Sequence, residues 1–255
     1  MSKDDGLLVR DSGPWAKEKL YYVERYMTIF NGGMKYRWPR RGFIDLMSGP
    51  GRCVDRESGM EFPGSPVLAL ASLPAFTSSV FVEADEDAAA ALIARTAADA
   101  SRRTVLSLDC NAPATIAHVR ALVDPSMLTL CFVDNLGLTV TFDTVRALVA
   151  GGRPIDLLFT FQVSDLTRNV GSAWDADESA RFDAFFGSTE WREIVGRFDR
   201  GETGRSDLAT ALADYYGERL HGIGCTHFAQ LHRVMKNTKN APLYRLIIAS
   251  RHPKA

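Results

Sequence analysis

The chain has 255 residues, 46% hydrophobic and 24% charged, with a formal net charge of −1 at pH 7. This composition excludes intrinsic disorder, and the length suits one large α/β domain better than two. A molecule so close to neutral has no overall basic field to hold a polyanion, so nucleic-acid binding would have to rest on a local patch.

In chain order, the start Met1-Ser2-Lys3-Asp4-Asp5 is polar and unlike a secretory signal, and no apolar run approaches the roughly 20 residues of a membrane span. Both readings point to the cytoplasm. Residues 15–30 predict an added helix. Lys35, Arg37, Arg40 and Arg41 interleave with Tyr36 and Trp38, a composition that fits either a nucleic-acid contact or a solvated turn. Residues 42–47 (GFIDLM) read as a buried strand ending in Asp45-Leu46-Met47-Ser48-Gly49-Pro50-Gly51. A polar insert at 53–64 follows and fits either a lid over a site or a plain surface loop. Ser65 and Pro66 then start a helix.

Further strands are predicted at 79–84, 104–109, 128–134 and 155–162, each a near-continuous apolar run of the kind covered on both faces in a parallel sheet. Helices alternate with them: an alanine-rich one over 87–103 ending in Arg102 and Arg103, one capped by Asn111, and one capped by Thr141 and stopped by Gly151, Gly152 and Pro154. Such alternation implies right-handed crossovers and a doubly wound sheet. Phe182, Phe185, Phe186, Trp191, Ile194, Leu208, Leu212, Tyr215 and Tyr216 mark two or three more helices. Residues 227–235 and 243–250 then read as a hairpin joined by a polar loop, and His232, Arg233, Lys236 and Lys239 form a second basic stretch near it.

Cys53, Cys110, Cys131 and Cys225 form no CxxC pair, so the sequence suggests neither a metal site nor a disulfide framework, and Cys110 and Cys131 read as small core residues. His118 falls on a predicted helix surface. No Ser-His-Asp order or HExxH motif stands out.

Open α/β sheets bind ligands beyond the carboxyl ends of their strands, where strand order reverses. At that rim the glycines at 49 and 51 let backbone approach a ligand closely. Four successive strands end in acids: Asp45, Glu83 with Asp85 after it, Asp109 beside Asn111, and Asp134. An acid ending the second strand is where dinucleotide folds hold ribose hydroxyls. The competing reading is that such acids cap the helices that follow.

Residues 45–51 resemble the first cofactor motif of class I S-adenosylmethionine-dependent methyltransferases, with Met47 in place of the first glycine. More closely, the chain resembles the three-Cys-motif partner protein family (TcmP), through Trp15, Lys17 and Leu20; Ile44-Asp45 with Ser48-Gly49-Pro50-Gly51; Gly64-Ser65-Pro66 with Ala69-Leu70; Phe81-Val82-Glu83 with Asp85; Asp109; Phe132-Val133-Asp134 with Gly137; and Leu243-Tyr244. The resemblance implies a Rossmann-like class I methyltransferase fold: a mainly parallel seven-stranded sheet with a C-terminal antiparallel hairpin. It would form one domain over 1–255, with 1–41 as a helical extension and 42–255 as the core.

The resemblance also implies S-adenosylmethionine as cofactor. Asp45 and the Gly49 and Gly51 backbone would face its methionine moiety, Glu83 its ribose and Asp109 its adenine, with Ser48, Asp85 and Asn111 alongside. Asp134 and Asn135 would serve the methyl acceptor. By family name it implies a partner protein carrying a cysteine cluster, either as presenter of the substrate or as the client of a non-catalytic adaptor. Two features depart from the pattern. Asp134-Asn135-Leu136-Gly137 stands where the family has Asp-Pro-aromatic-Gly, and the Pro-Pro-aromatic signature of base-amino methyltransferases is absent. Leu136 cannot stack on a base as an aromatic would, so the expected acceptor is a small molecule or a partner-presented group rather than a DNA amine, with a nucleic-acid-modifying methyltransferase using the basic-aromatic segment as the alternative.

Overall fold

The computed structural model describes residues 1–236 and 242–252. A seven-stranded sheet is built from β2 (Arg41–Asp45), β5 (Ser78–Glu83), β6 (Arg103–Ser107), β7 (Leu128–Val133), β8 (Ile155–Phe161), β9 (His227–Lys236) and β10 (Pro242–Ser250). Its order is β6-β5-β2-β7-β8-β10-β9. β2 pairs in parallel with β5 and β7, β5 in parallel with β6, and β9 with β10 antiparallel. β2, β7 and β8 are buried along their whole length, as their unbroken apolar runs require. The α/β sheet with its closing hairpin is the expected architecture; the hairpin's turn, 237–241, lies outside the described residues.

The chain falls into two compact units. The first comprises 1–134 with 153–158, and the second 135–152 with 159–255. In the first, α1 (Trp15–Met34) turns Ala16, Leu20, Val23, Met27 and Phe30 inward at helical spacing. The chain between β5 and β6 holds α3 (Glu86–Arg95), which stops well short of the predicted 103. The Thr96 hydroxyl bonds back to Leu92 O at 2.6 Å and a short 3₁₀ turn follows. Arg103 still reaches the terminal carbonyls of α3, Ile93 and Thr96, but does so from the first position of β6. α4 (Pro113–Leu122) likewise begins later than predicted, with Ala112 and not Asn111 at its cap.

The first unit also holds a small sheet that the sequence reading lacked. β1 (Arg10–Ser12) pairs in parallel with β3 (Arg52–Asp55), which pairs antiparallel with β4 (Glu61–Pro63). The expected insert is therefore a formed hairpin. Cys53 and Phe62 pack with Ala16, Leu20 and Leu68. Glu61 accepts from the Ser2 hydroxyl, the Lys3 N–H and Arg52.

The second unit packs α5 (Phe142–Val149), α6 (Val163–Asn169), α7 (Ala176–Phe186), α8 (Trp191–Asp199) and α9 (Arg205–Gly222) around an aromatic core. Phe185 stacks on Tyr216 with centroids 4.8 Å apart, and Phe159, Phe161 and Phe186 crowd the same ring. Thr141 caps α5 as expected.

Arg41, at the start of β2, is buried. Its guanidinium donates to Asn31 Oδ1 at 2.8 Å and to the carbonyls of Trp38, Pro39 and Ala75 at 2.8, 3.1 and 3.0 Å. It gathers the chain before β2 into place. Arg41→Met keeps the bulk and removes every donor, so urea unfolding is expected to show a loss of about 3 kcal/mol, since buried acceptors left without donors lose their desolvation offset. An unchanged midpoint would mean these bonds are dispensable.

Candidate functional site

The strand order locates the site. From β2 the chain runs outward through β5 and β6, then crosses back to β7 on the other side of β2. The reversal of order falls at the carboxyl end of β2, where open α/β sheets leave a crevice. The loop leaving β2 leans on both neighbours: Leu46 N–H donates to Phe132 O at 3.3 Å and Ser48 N–H to Val82 O at 3.0 Å.

Asp45 lies beneath this loop with 0% exposure. Its Oδ2 accepts from Ser65 Oγ at 2.7 Å, and its Oδ1 from Met47 N–H at 3.2 Å. Ser48 Oγ donates to the Asp45 carbonyl at 3.1 Å. Burial pushes the carboxyl up to about 7; the bonds from Ser65 and Met47 and the charge of Arg10 pull against that, and Asp134 adds to it. In this geometry Asp45 and Ser48 hold the loop from inside, whereas the resemblance had Asp45 facing a ligand.

Gly49 and Gly51 have φ of +64° and +82°, the left-handed region that glycine enters without strain. A Cβ on Gly51 would stand 2.9 Å from Leu92 Cδ1. Gly51 O accepts from Gly64 N–H at 2.9 Å, which closes the base of the β3–β4 hairpin. The hairpin thus returns to its point of departure, and α2 (Ser65–Ala71) opens where a glycine loop ordinarily leads straight into a helix.

Glu83 ends β5 and is half-buried. Its Oε2 accepts from Gly49 N–H at 2.6 Å and its Oε1 from Asp85 N–H at 3.0 Å. Each oxygen keeps a further acceptor direction. Asp85 caps α3, accepting from Ala88 N–H at 2.8 Å. Asp109 is exposed on the same rim, with one oxygen on Asn111 N–H at 2.9 Å. The thiol of Cys110, next to Asp109, is pushed up to about 12 by burial, with Asp109 and Glu83 adding to it.

Asp134 follows β7 and is buried. Lys19 Nζ donates to its Oδ2 at 2.5 Å, an ion pair with both side chains 9% exposed. Its other oxygen, Oδ1, is buried without a hydrogen-bond partner. Asn135 is fully buried; its Oδ1 accepts from Val140 N–H at 2.9 Å and its Nδ2 reaches Val140 O at 3.4 Å. Its amide thus pins the following loop, leaving Asp134 as the acidic handle. Sequence reasoning missed Lys19, Ser65 and Arg10 as site residues. Lys19 carried a signal, a lysine set among the apolar positions of an amphipathic helix. Arg10 carried none, because a three-residue strand has no measurable periodicity.

The basic-aromatic segment divides between exposed and buried side chains. Arg41 is buried and Arg40 pairs with Asp124 at 2.8 Å, while Tyr36 is exposed with Lys35 over its ring at 4.8 Å. His118 is exposed. In the second basic stretch, the side chains of His232 and Arg233 and the whole of Lys239 lie outside the described residues. All four cysteines are buried, and no disulfide joins them. Among the described residues no group of three or more His, Cys, Asp or Glu is placed to hold a metal, and no helix is long and apolar enough to cross a membrane.

The Asp45 carboxyl yields a pH prediction. It ionises near 7 when folded and near 4 when unfolded, so between those values the folded chain holds a proton the unfolded chain has lost. The resulting stability is present below the unfolded value and is lost as pH rises through 7. Asp45→Asn removes this dependence. In urea unfolding, the stability of the native protein relative to the variant should fall between pH 5 and pH 7.5; a constant difference would contradict the assignment.

No family model and no curated protein matches the sequence, so the likeness to the three-Cys-motif partner proteins rests on its motifs alone. Solved structures do match. A Legionella pneumophila protein of the DUF519 family model superposes with a TM-score of 0.54 at 11% identity, over 94% of this chain and 86% of that one. A proposed O-methyltransferase from Klebsiella pneumoniae superposes with a TM-score of 0.51 at 14% identity, over 96% of this chain and 83% of that one. At these identities the likeness is one of fold, and the fold is the Rossmann-like methyltransferase fold.

Proposed function

We propose that the protein is an S-adenosylmethionine-dependent methyltransferase that binds its cofactor across the Gly49–Gly51 loop. The observation that carries this reading is the convergence, at the strand-order reversal, of a left-handed glycine loop with Glu83, whose carboxylate already touches that loop. The residues fit the group. Gly49 presents no side chain to a ligand, Gly51 lets the loop pack closely on Leu92, Glu83 keeps acceptor capacity for ribose hydroxyls, and Asp109 is exposed where an adenine amino group would need an acceptor. The description of the Klebsiella neighbour agrees with the reading.

When bound, the cofactor supplies a methyl group already activated on a sulfonium centre. The chain then has only to place and orient an acceptor. Asp134 is the residue for that task, because its Oδ1 is a buried carboxylate oxygen awaiting a donor. Lys19 fixes the other oxygen and so sets the direction in which Oδ1 points. A hydroxyl or amine donating to Oδ1 would be oriented and could pass its proton there. The acceptor is a small molecule or a group presented by a partner protein.

Calorimetry is expected to show micromolar binding of S-adenosylmethionine. Glu83→Ala should weaken it by about 1.5–3 kcal/mol, the value of hydrogen bonds to a charged group. Asp134→Asn should abolish transfer of labelled methyl groups to extract metabolites or proteins while keeping cofactor affinity within a few-fold. Absence of binding at millimolar cofactor would end the methyltransferase reading. Binding without transfer to any fraction would favour an adaptor, and robust labelling of DNA amines would overturn the acceptor assignment.

A further inference from the structure

Arg10 stands apart from the other arginines near the glycine loop. Arg52 is engaged by Asp4 and Glu61, and Arg95 holds Asp5 together with the carbonyls of Leu8 and Pro50, which fixes the approach to β1 against the loop. Arg10 is half-buried, yet among the described residues its guanidinium makes no hydrogen bond or ion pair. Its place is defined by Gly49: a Cβ there would lie 3.4 Å from Arg10 Nη1 and 3.8 Å from Cζ. The guanidinium therefore lies against the Gly49 face of the loop. Its charge reaches Asp45 beneath, but that carboxyl is fully enclosed and bonded to Ser65 and Met47. A partly desolvated guanidinium with five unused donors is the complement of a carboxylate.

The position decides which carboxylate. Gly49 N–H is held by Glu83, so the β5 and β6 side of the loop, with Glu83 and Asp109, is the nucleoside end on the reading above. Arg10 comes from β1, paired to Cys53 of β3 in the hairpin that leaves the loop at Gly51. A cofactor laid across the loop with its ribose on Glu83 has its amino-acid end left for Arg10. We propose that Arg10 binds the α-carboxylate of the cofactor's amino-acid moiety, which makes the β1–β3–β4 sheet a working part of the cofactor site. This assignment rests on the cofactor reading and adds to it the group that selects an amino-acid tail.

The test compares S-adenosylhomocysteine with its decarboxylated analogue, which keeps the nucleoside, the sulfur and the amine. Calorimetric titrations into native protein should show the carboxylate-bearing ligand binding about 10- to 100-fold more tightly, the range for charge-assisted bidentate bonds. Arg10→Met should erase that preference by weakening S-adenosylhomocysteine alone, and Arg10→Lys should restore part of it. Because the guanidinium has no internal partner, the melting temperature of Arg10→Met should match the native protein. The native comparison needs no variant at all, so a misfolded variant would not rescue the proposal. Equal binding of the two ligands by native protein, or parallel loss of both in Arg10→Met, overturns the Arg10 assignment while leaving the cofactor reading intact. Failure of native protein to bind either ligand removes the cofactor reading and this assignment with it.

Discussion

The candidate site depends on a carboxylate buried under a turn. Asp45 is the last residue of β2, level with Phe81 on β5 and Phe132 on β7, and no solvent reaches it. Such a group is tolerable only when hydrogen-bonded. The Met47 amide from the loop above and the Ser65 hydroxyl from the start of α2 supply the bonds. Those two contacts tie together strand, loop and helix, although residues 52–63 intervene in sequence. The glycine loop is thereby held at a fixed height over the sheet, and the side chains that meet there inherit their positions from it.

Around that support the polar groups divide by their engagements. Asp85 caps a helix and Asn135 spans to Val140, so their polar atoms serve the fold. Glu83 fixes Gly49 and the Asp85 amide, and each of its oxygens keeps a further acceptor direction. Asp134 is asymmetric, with one oxygen on Lys19 and the other buried and unpaired. A buried acceptor without a donor is disfavoured, so the two oxygens of Asp134 sit in unlike environments. Leu138, shortly after Asp134, adopts φ +58°, an uncommon conformation for a branched side chain.

Much of this was legible in the sequence, for identifiable reasons. The parallel strands declared themselves because burial on both faces writes continuous apolar runs, as in LTLCFV at β7. The acids stood out because each falls at a strand end, but their engagements did not. A carboxylate that caps a helix and one that faces a crevice look alike in sequence, and only hydrogen-bond partners separate Asp85 from Glu83. The small sheet escaped notice because β1 and β4 are three residues each and their pairing is non-local. Arg10 and the true character of the insert were hidden with it. Helix ends were overrun where a single hydroxyl decided the matter, as Thr96 does for α3.

A cofactor lying across Gly49–Gly51 with its ribose on Glu83 would be seen in a crystal structure grown with S-adenosylhomocysteine. Density is expected along the glycine loop, with ribose hydroxyls within hydrogen-bonding distance of the Glu83 carboxylate. Ligand bound away from that rim, with Glu83 still holding only Gly49 and Asp85, would contradict it.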